Sequence, residues 1–332
     1  MALSVALLVM VLVNISLGSV TIPFTETLKA LIGRPVSNPS WELIIWEYRL
    51  PKALASILVG GGLAVSGLLM QTFFRNPLAG PFVLGISSGA SLGAAILILG
   101  AGALFGASTV GWVGDVPLVL AASMGSVLVL FVVLVVANRV RDTMALLIIG
   151  LMFGSITSAV VSVLAYFSSA EALQRYVFWS FGSVGDLSWS QIGLLAALVL
   201  IGLLLTLVST KTLNALLLGE RYAQSLGVAL KRSKYTIIAA TGILAGSITA
   251  FAGPIAFVGL AVPHLARQLF DTTRHQVLLP AVFLYGALLL LVCDSIAQWP
   301  NSAAVLPINA ITSIVGAPVV IWLLVKKRRF LF

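Results

Sequence analysis

Apolar residues run through this chain in long blocks, and polar residues are confined to the gaps between them. A helix needs about 20 mostly apolar residues to cross hydrocarbon. Ten stretches reach or approach that length: 2–22, 53–74, 82–104, 116–138, 143–167, 191–210, 235–252, 254–270, 277–297 and 305–325. The pattern predicts an all-α integral membrane protein with ten transmembrane helices in one domain over 1–332. The seventh and eighth stretches are divided only by Gly253-Pro254, and the eighth is short and carries Pro263 and His264. One span plus a re-entrant segment there would give nine. The first block starts at Met1 with no basic n-region and no clear small-residue cleavage site, so it reads as a retained span.

Charge decides between nine and ten. With ten spans and both termini inside, the inner loops hold Arg75, Arg139, Arg141, Lys211, Arg221, Lys231, Arg232, Lys234, Arg267, Arg274 and the tail Lys326, Lys327, Arg328 and Arg329. The outer loops hold Lys29, Arg34, Arg49, Lys52 and Arg175. A 14 to 5 bias follows the positive-inside rule. Nine spans would put the last basic cluster outside. Trp41, Trp46, Trp112, Trp179, Trp189 and Trp299 fall in or beside the proposed outer loops, where amphipathic rings favour the interface.

Composition agrees. The chain is 60% apolar and 9% charged, where soluble domains carry about 25% charged residues. The net charge of +9 is therefore read as topology, with no nucleic-acid partner. The single cysteine, Cys293, can form neither an internal disulfide nor a thiolate metal site alone.

Glycines cluster in the second and third stretches: Gly60, Gly61, Gly62, Ser66 and Gly67, then Gly85, Ser87, Ser88, Gly89 and Gly93. Small residues let helices approach closely. Pro77, Pro81, Pro254 and Pro263 each remove a backbone donor. The carbonyls they free are tolerated at membrane depth only inside protein or facing a wet cavity. "LAGPFVLGIS" at 78–87 has an echo in "FAGPIAFVGLAVP" at 251–263, on opposite faces in this topology. An inverted repeat leaves such an echo, and so does chance among Gly/Ala-rich spans.

No phosphate-binding Gly-x-x-x-x-Gly-Lys-[Ser/Thr] loop, no Gly-x-Ser-x-Gly elbow and no His-Glu-x-x-His occurs. His264 and His275 have no carboxylate or cysteine at metal-ligand spacing and read as helix-end or interface histidines. Asp294 is the one carboxylate set within a span, near its outer end. A proton- or sodium-driven carrier would bury several, so the energy is expected from elsewhere. The longest polar inner stretch, "STKTLNALLLGERYAQSLGVALKRSKY" at 209–235, contains an amphipathic segment from Ala215 to Leu226. Leu216, Leu217, Ala223 and Leu226 can share a helical face opposite Glu220 and Arg221. Such a helix either rests on the lipid interface or inserts into a groove on a soluble partner.

"YRLPKALASILVGGGLAVSGLLMQTFFRNPLAGPFVLGISSGA", "LLLGERYAQSLGV", "AGPIAFVGLAVPHLARQLF" and "LPINAITSIVGAPVVIWLL" occur in this order. Together they resemble the FecCD-type permeases, membrane subunits of ABC importers for ferric siderophores, haem and vitamin B12. The resemblance covers essentially the whole chain. It implies an inverted-repeat, type II importer permease fold and a homodimer with a central pathway. It also implies two cytoplasmic ATPase subunits and a periplasmic substrate-binding protein, in a bacterial inner membrane with both termini cytoplasmic. Within 211–234, Leu218, Gly219, Glu220, Ala223, Leu226 and Gly227 match the segment that fits the ATPase groove. Arg49 and Lys52 match basic outer-face positions that pair with the binding protein. Asn76, Pro77 and Leu78 match the inner end of the pathway, and Asp142, Thr143 and Met144 its cytoplasmic gate. Asn76 can satisfy backbone groups where the chain breaks, and the prolines fix the turn. No catalytic residue, metal or cofactor is implied for this chain; ATP and Mg belong to the partner ATPases.

Three positions depart from the family pattern. Gln298 stands where relatives often carry an arginine, Val305 where a glutamate is common, and Asn309 where a glycine is usual. They bear on the outer-face charge pairs. The resulting expectation is an importer permease for an iron chelate. Haem or cobalamin is the alternative cargo, and a non-transporting membrane scaffold or receptor subunit is the rival of another class.

Overall fold

A computed structural model describes residues 2–100, 115–140, 142–298 and 305–326. Every regular element among them is helical. In chain order these are α1 (Ala2–Ser16), α2 (Phe24–Leu31), α3 (Pro39–Phe73), α4 (Ile86–Ile98), α5 (Asp115–Arg139), α6 (Thr143–Tyr166) and α7 (Ala170–Ser180). They continue with α8 (Trp189–Val208), α9 (Thr210–Leu216), α10 (Glu220–Ser225), α11 (Leu230–Ala252), α12 (Val258–Phe270), α13 (His275–Ala297) and α14 (Ile308–Lys326). Trp112, Arg141, Trp299, Lys327, Arg328 and Arg329, used above to orient the chain, lie outside the described residues.

Each of the ten predicted stretches contains a helix, but they are not equal. Six are long and apolar enough to cross a membrane: α3, α5, α6, α8, α11 and α13. α4 and α12 have 13 residues each, about 20 Å of helix against a hydrocarbon core of about 30 Å. α3 begins well before the predicted position 53. Asn38 caps it by accepting the Ser40 amide at 3.0 Å, and Pro39 sits in its first turn, where no amide is needed. A π-helical segment, Ile44–Arg49, carries α3 through the polar stretch before its apolar run. Asp142 caps α6, Ser169 caps α7, and Ser188 with Gln191 forms a reciprocal capping box on α8.

α3 and α11 form the centre. Of their most apolar stretches 83% and 67% are buried within the chain, against 17% for α6. α3 packs on α13, α12, α11 and α8. Glycine makes this possible. A Cβ on Gly60 would strike the Gly286 carbonyl, and one on Gly67 would strike the Gly259 carbonyl. Gly89 and Gly125 play the same part between α4 and α5.

The echo at 78–87 and 251–263 has a structural counterpart. α3 and α11 are long helices, each followed by a Gly-Pro break and then a 13-residue helix. The residue before each short helix has positive φ: Gly85 at +75° and Phe257 at +66°. The long helix of each half packs against the short helix of the other, α3 on α12 and α11 on α4. A seventh and an eighth helix are thus separated by a real break over 253–257.

At the opposite end from the first break, buried charge ties α1 to the bundle. The Arg49 guanidinium donates to the carbonyls of Ile15 (2.8 Å), Ser16 (2.9 Å) and Val20. These include the last carbonyls of α1, which have no helical partner. Gly18 leaves room, since a Cβ there would lie 2.8 Å from Arg49 Nη2. Lys52 Nζ pairs with Asp294 Oδ1 at 3.0 Å. Asp294 Oδ2 accepts from Asn14 at 2.9 Å and Gln298 at 2.6 Å. Gln298 also pairs with Val305 in an isolated antiparallel bridge.

Two outcomes follow. Arg49→Met removes charge-assisted bonds from buried carbonyls and is expected to cost about 1.5–3 kcal/mol, read as a lower thermal unfolding midpoint of the solubilised protein. Gly67→Leu is expected to abolish recovery of folded protein. Gly193→Ala, on an α8 surface with nothing within 4 Å of the new Cβ, is expected to leave yield and midpoint unchanged.

Candidate coupling and pathway site

The polar segment 209–227 folds as two short helices, not one. α9 buries Thr210, Leu213 and Leu216 against the bundle, at the spacing of one helical face. The chain then turns through Gly219 at φ +103°, a conformation that favours glycine, and α10 follows. The amphipathic segment predicted from Ala215 to Leu226 is therefore interrupted in its middle. Ala223 is fully buried against the body of the protein, while Leu218, Tyr222 and Leu226 project outward, each more than half exposed. Gly227, at φ +84°, ends the element. The result is a rigid knob with an apolar tip.

The first helix break lies directly beside it. Arg75 has φ +47°, and a Cβ on Gly219 would lie 3.4 Å from Arg75 Nη1. Asn76 Oδ1 accepts the Leu78 amide at 2.9 Å, and the Asn76 amide returns to the Gln71 carbonyl at 3.1 Å. The Pro77 carbonyl accepts from His264 Nε2 at 2.7 Å, which fixes the proton on that nitrogen. Leu78 is exposed.

The residues expected at the gate gather at the same end. Asp142 Oδ1 accepts the Met144 amide at 3.0 Å, starting α6, and Met144 is exposed. Lys234 donates to the Val140 carbonyl at 2.8 Å, and Glu220 and Asp142 both lie within electrostatic range of its ammonium. One end of the bundle thus collects Asn76, Pro77 and Leu78, Asp142, Thr143 and Met144, and the knob from Leu218 to Gly227. Arg49 and Lys52 are nearly the whole of α3 away, about 35 Å at the helical rise. Neither presents its charge outward: Arg49 is 8% exposed and the Lys52 side chain 16%. Both are engaged within the chain, Arg49 by carbonyls of α1 and the residues after it and Lys52 by Asp294.

Sequence reasoning missed one feature of α6. Ser155, Ser158 and Ser162 are all exposed and follow Met144, Ile148 and Leu151 up one line of the helix to Tyr166. The spacing of four, three, four, three, four, four was there to be read. Ser155 and Ser162 donate to carbonyls one turn back, at 3.3 and 2.9 Å, leaving their oxygens able to accept. No group of His, Cys, Asp and Glu fit to hold a metal ion exists among the described residues. This chemistry suits movement and passage: hydroxyls, small side chains and two hinged breaks.

Known proteins of the same kind exist. The profile of the FecCD transport family matches residues 6–326. The vitamin B12 import system permease protein BtuC of Klebsiella pneumoniae is 40% identical over 327 residues, covering 98% of this chain and 93% of that protein. The protein of the same name from Escherichia coli O9:H4 is 41% identical over 293 residues, 88% of this chain and 86% of its own. Among solved structures, a metal-chelate type ABC transporter in an inward-facing conformation superposes with a TM-score of 0.85 at 29% identity, covering 98% of both chains. PsaBC from Streptococcus pneumoniae shares the fold at a TM-score of 0.53 and 12% identity. A family match of nearly full length, on a broken-helix bundle whose four sequence blocks stand in the family's order, settles the relationship: this chain belongs to the FecCD transport family.

Proposed function

We propose that this chain is the membrane-spanning subunit of an ABC importer that admits a metal chelate. It crosses the membrane ten times with both termini in the cytoplasm, and two copies enclose the pathway. ATP and Mg are handled by two separate ATPase subunits. A periplasmic binding protein delivers the cargo from the other side. The single observation that carries this reading is the knob at 218–227, whose buried Ala223 anchors it while Leu218, Tyr222 and Leu226 stand clear. An apolar tip held on a rigid base is what a groove on a soluble partner can grip. Its neighbours are the helix break at 75–80 and the start of α6, so a push on the knob reaches the inner mouth directly.

The hydroxyl line of α6 supports a pathway on that helix's open side, facing the second copy. Weak hydroxyl contacts let a bulky cargo leave as readily as it enters. Cobalamin is the first cargo to test, because relatives 40–41% identical are named for vitamin B12 import. A ferric siderophore is the second, because the superposable structure is a metal-chelate type transporter.

Two experiments test the reading. Leu218→Asp and Leu226→Asp change exposed side chains, so the fold is expected to persist while affinity for the ATPase subunits falls by roughly 30-fold or more, as loss of an interface anchor does. Unchanged association would remove the knob from the interface. In proteoliposomes holding the complex with its own ATPase and binding protein, ATP-dependent uptake is expected for radiolabelled cyanocobalamin or for a ferric hydroxamate. Uptake of neither, nor of haem, would overturn the proposal.

A further inference from the structure

A buried polar chain joins three elements that are remote in sequence. Thr72 lies one residue before the end of α3, His275 opens α13, and Asn214 belongs to α9, which leads into the knob. Thr72 is 0% exposed and His275 1%, so neither meets water. Chemistry fixes the direction of each bond. Asn214 Oδ1 accepts the His275 backbone amide at 3.0 Å, so that atom is the oxygen. It also faces His275 Nδ1 at 2.8 Å, which must therefore carry the proton. Nε2 of the neutral ring is left to accept the Thr72 hydroxyl at 2.9 Å. Arg274, the residue before α13, supplies no side-chain cap; Asn214 does so from another element.

The preceding α3 residue grips the other side. Gln71 Nε2 donates to the Leu260 carbonyl at 3.0 Å, and its Oε1 accepts from Arg267 at 2.9 Å. Two consecutive side chains thus hold α9, through His275, and α12. The chain breaks immediately afterwards. Asn214 Nδ2 also donates to Gln276 Oε1 at 3.4 Å, a longer and exposed bond to the same helix; the remaining contacts of α9 are the buried Thr210, Leu213 and Leu216, and apolar contact is non-directional and lets surfaces slide. A buried hydrogen bond to a ring wedged between two helices does not.

We propose that His275 is a positioning residue for energy coupling. It locks the knob-bearing α9 to the inner end of α3, so that a displacement of α9 and α10 moves the 75–80 break instead of being absorbed between them. This rests on the importer reading above. The force enters at Leu218 to Leu226, passes through Asn214 and His275 to Thr72, and opens or closes the inner mouth beside Asn76 and Leu78.

The test separates coupling from stability. Thr72→Val keeps the shape and removes the hydroxyl; Thr72→Ser keeps the hydroxyl. Both are assembled with the ATPase and binding protein in proteoliposomes, with radiolabelled cyanocobalamin as probe, or a ferric hydroxamate if that is what the wild type takes up. The valine variant is expected to continue hydrolysing ATP while cargo moved per ATP falls by about 2- to 30-fold, and the serine variant to stay close to wild type. If the valine variant does not assemble, Asn214→Ala, at a part-exposed position, is expected to give the same fall. A lower thermal midpoint with cargo per ATP unchanged in the folded complex would overturn the proposal and leave the importer reading standing. A wild-type complex that moves none of the probes would overturn both.

Discussion

Hydrocarbon offers no partner to a freed backbone group, and that constraint shapes both halves of this protein. A helix broken at membrane depth exposes amides and carbonyls that water would otherwise serve. Each break here is serviced by a side chain from the protein itself. At the first, Asn76 accepts the Leu78 amide and His264 donates to the Pro77 carbonyl. At the second, Asn309 Oδ1 accepts the Ala256 amide at 3.0 Å, and its own amide reaches the Phe181 carbonyl at 3.2 Å. Asn309 is one of the departures from the family pattern, and here it has a defined task that a glycine could not perform through a side chain. With these bonds in place, both breaks are accommodated within the fold.

The breaks have meaning only because α3 is held so closely. Gly60 against Gly286 and Gly67 against Gly259 place backbone on backbone, with no side chain to cushion displacement. A rod packed that way transmits motion along its length. One end carries Gln71 and Thr72, the other Arg49 and Lys52, and these four make buried or part-buried polar bonds to three helices, α12, α13 and α1. α6 is the contrast. It is mostly exposed within the chain, and its open side bears the hydroxyl line. Centre and periphery divide the work: α3 carries force, and α6 offers surface.

The helices were legible because apolar block length reports them directly, and the breaks because each carries a Gly-Pro pair, Gly80-Pro81 and Gly253-Pro254. Positions without a periodic signal were harder. The first turns of α3, Pro39–Leu43, and the π-helical Ile44–Arg49 that follows are too mixed in polarity to continue the apolar block, and the helix is started there by the Asn38 cap and Pro39. Gly219 and Gly227 punctuate the amphipathic segment in the sequence, and both have positive φ in the structure; only the structure shows that the first of them splits it into two helices. Arg49 and Lys52 show the limit most clearly. A basic residue near a span end has the same letter whether it faces water or caps a neighbouring helix; only the three-dimensional position of α1's last carbonyls and of Asp294 tells them apart. The Thr72, His275 and Asn214 contacts join residues more than 60 and 200 positions apart, beyond the reach of any local pattern.

The fate of the charges bears on where energy enters. Asp294, the one carboxylate set within a span, has both oxygens engaged by Lys52, Asn14 and Gln298. It serves as the anchor of a structural network, and a group so committed is a poor shuttle for a proton or a sodium ion. Arg49 is committed likewise to backbone carbonyls. At one end the described bundle thus commits Arg49, Lys52 and Asp294 to internal bonds, and at the other it presents the knob with Leu218, Tyr222 and Leu226 exposed. Ion gradients act on charges that can move or exchange; a knob responds to displacement. The proposed function takes the second as its interface with the ATPase subunits, and from the knob α9 connects through Asn214 and His275 to Thr72 near the end of α3, the most buried of the six long apolar helices.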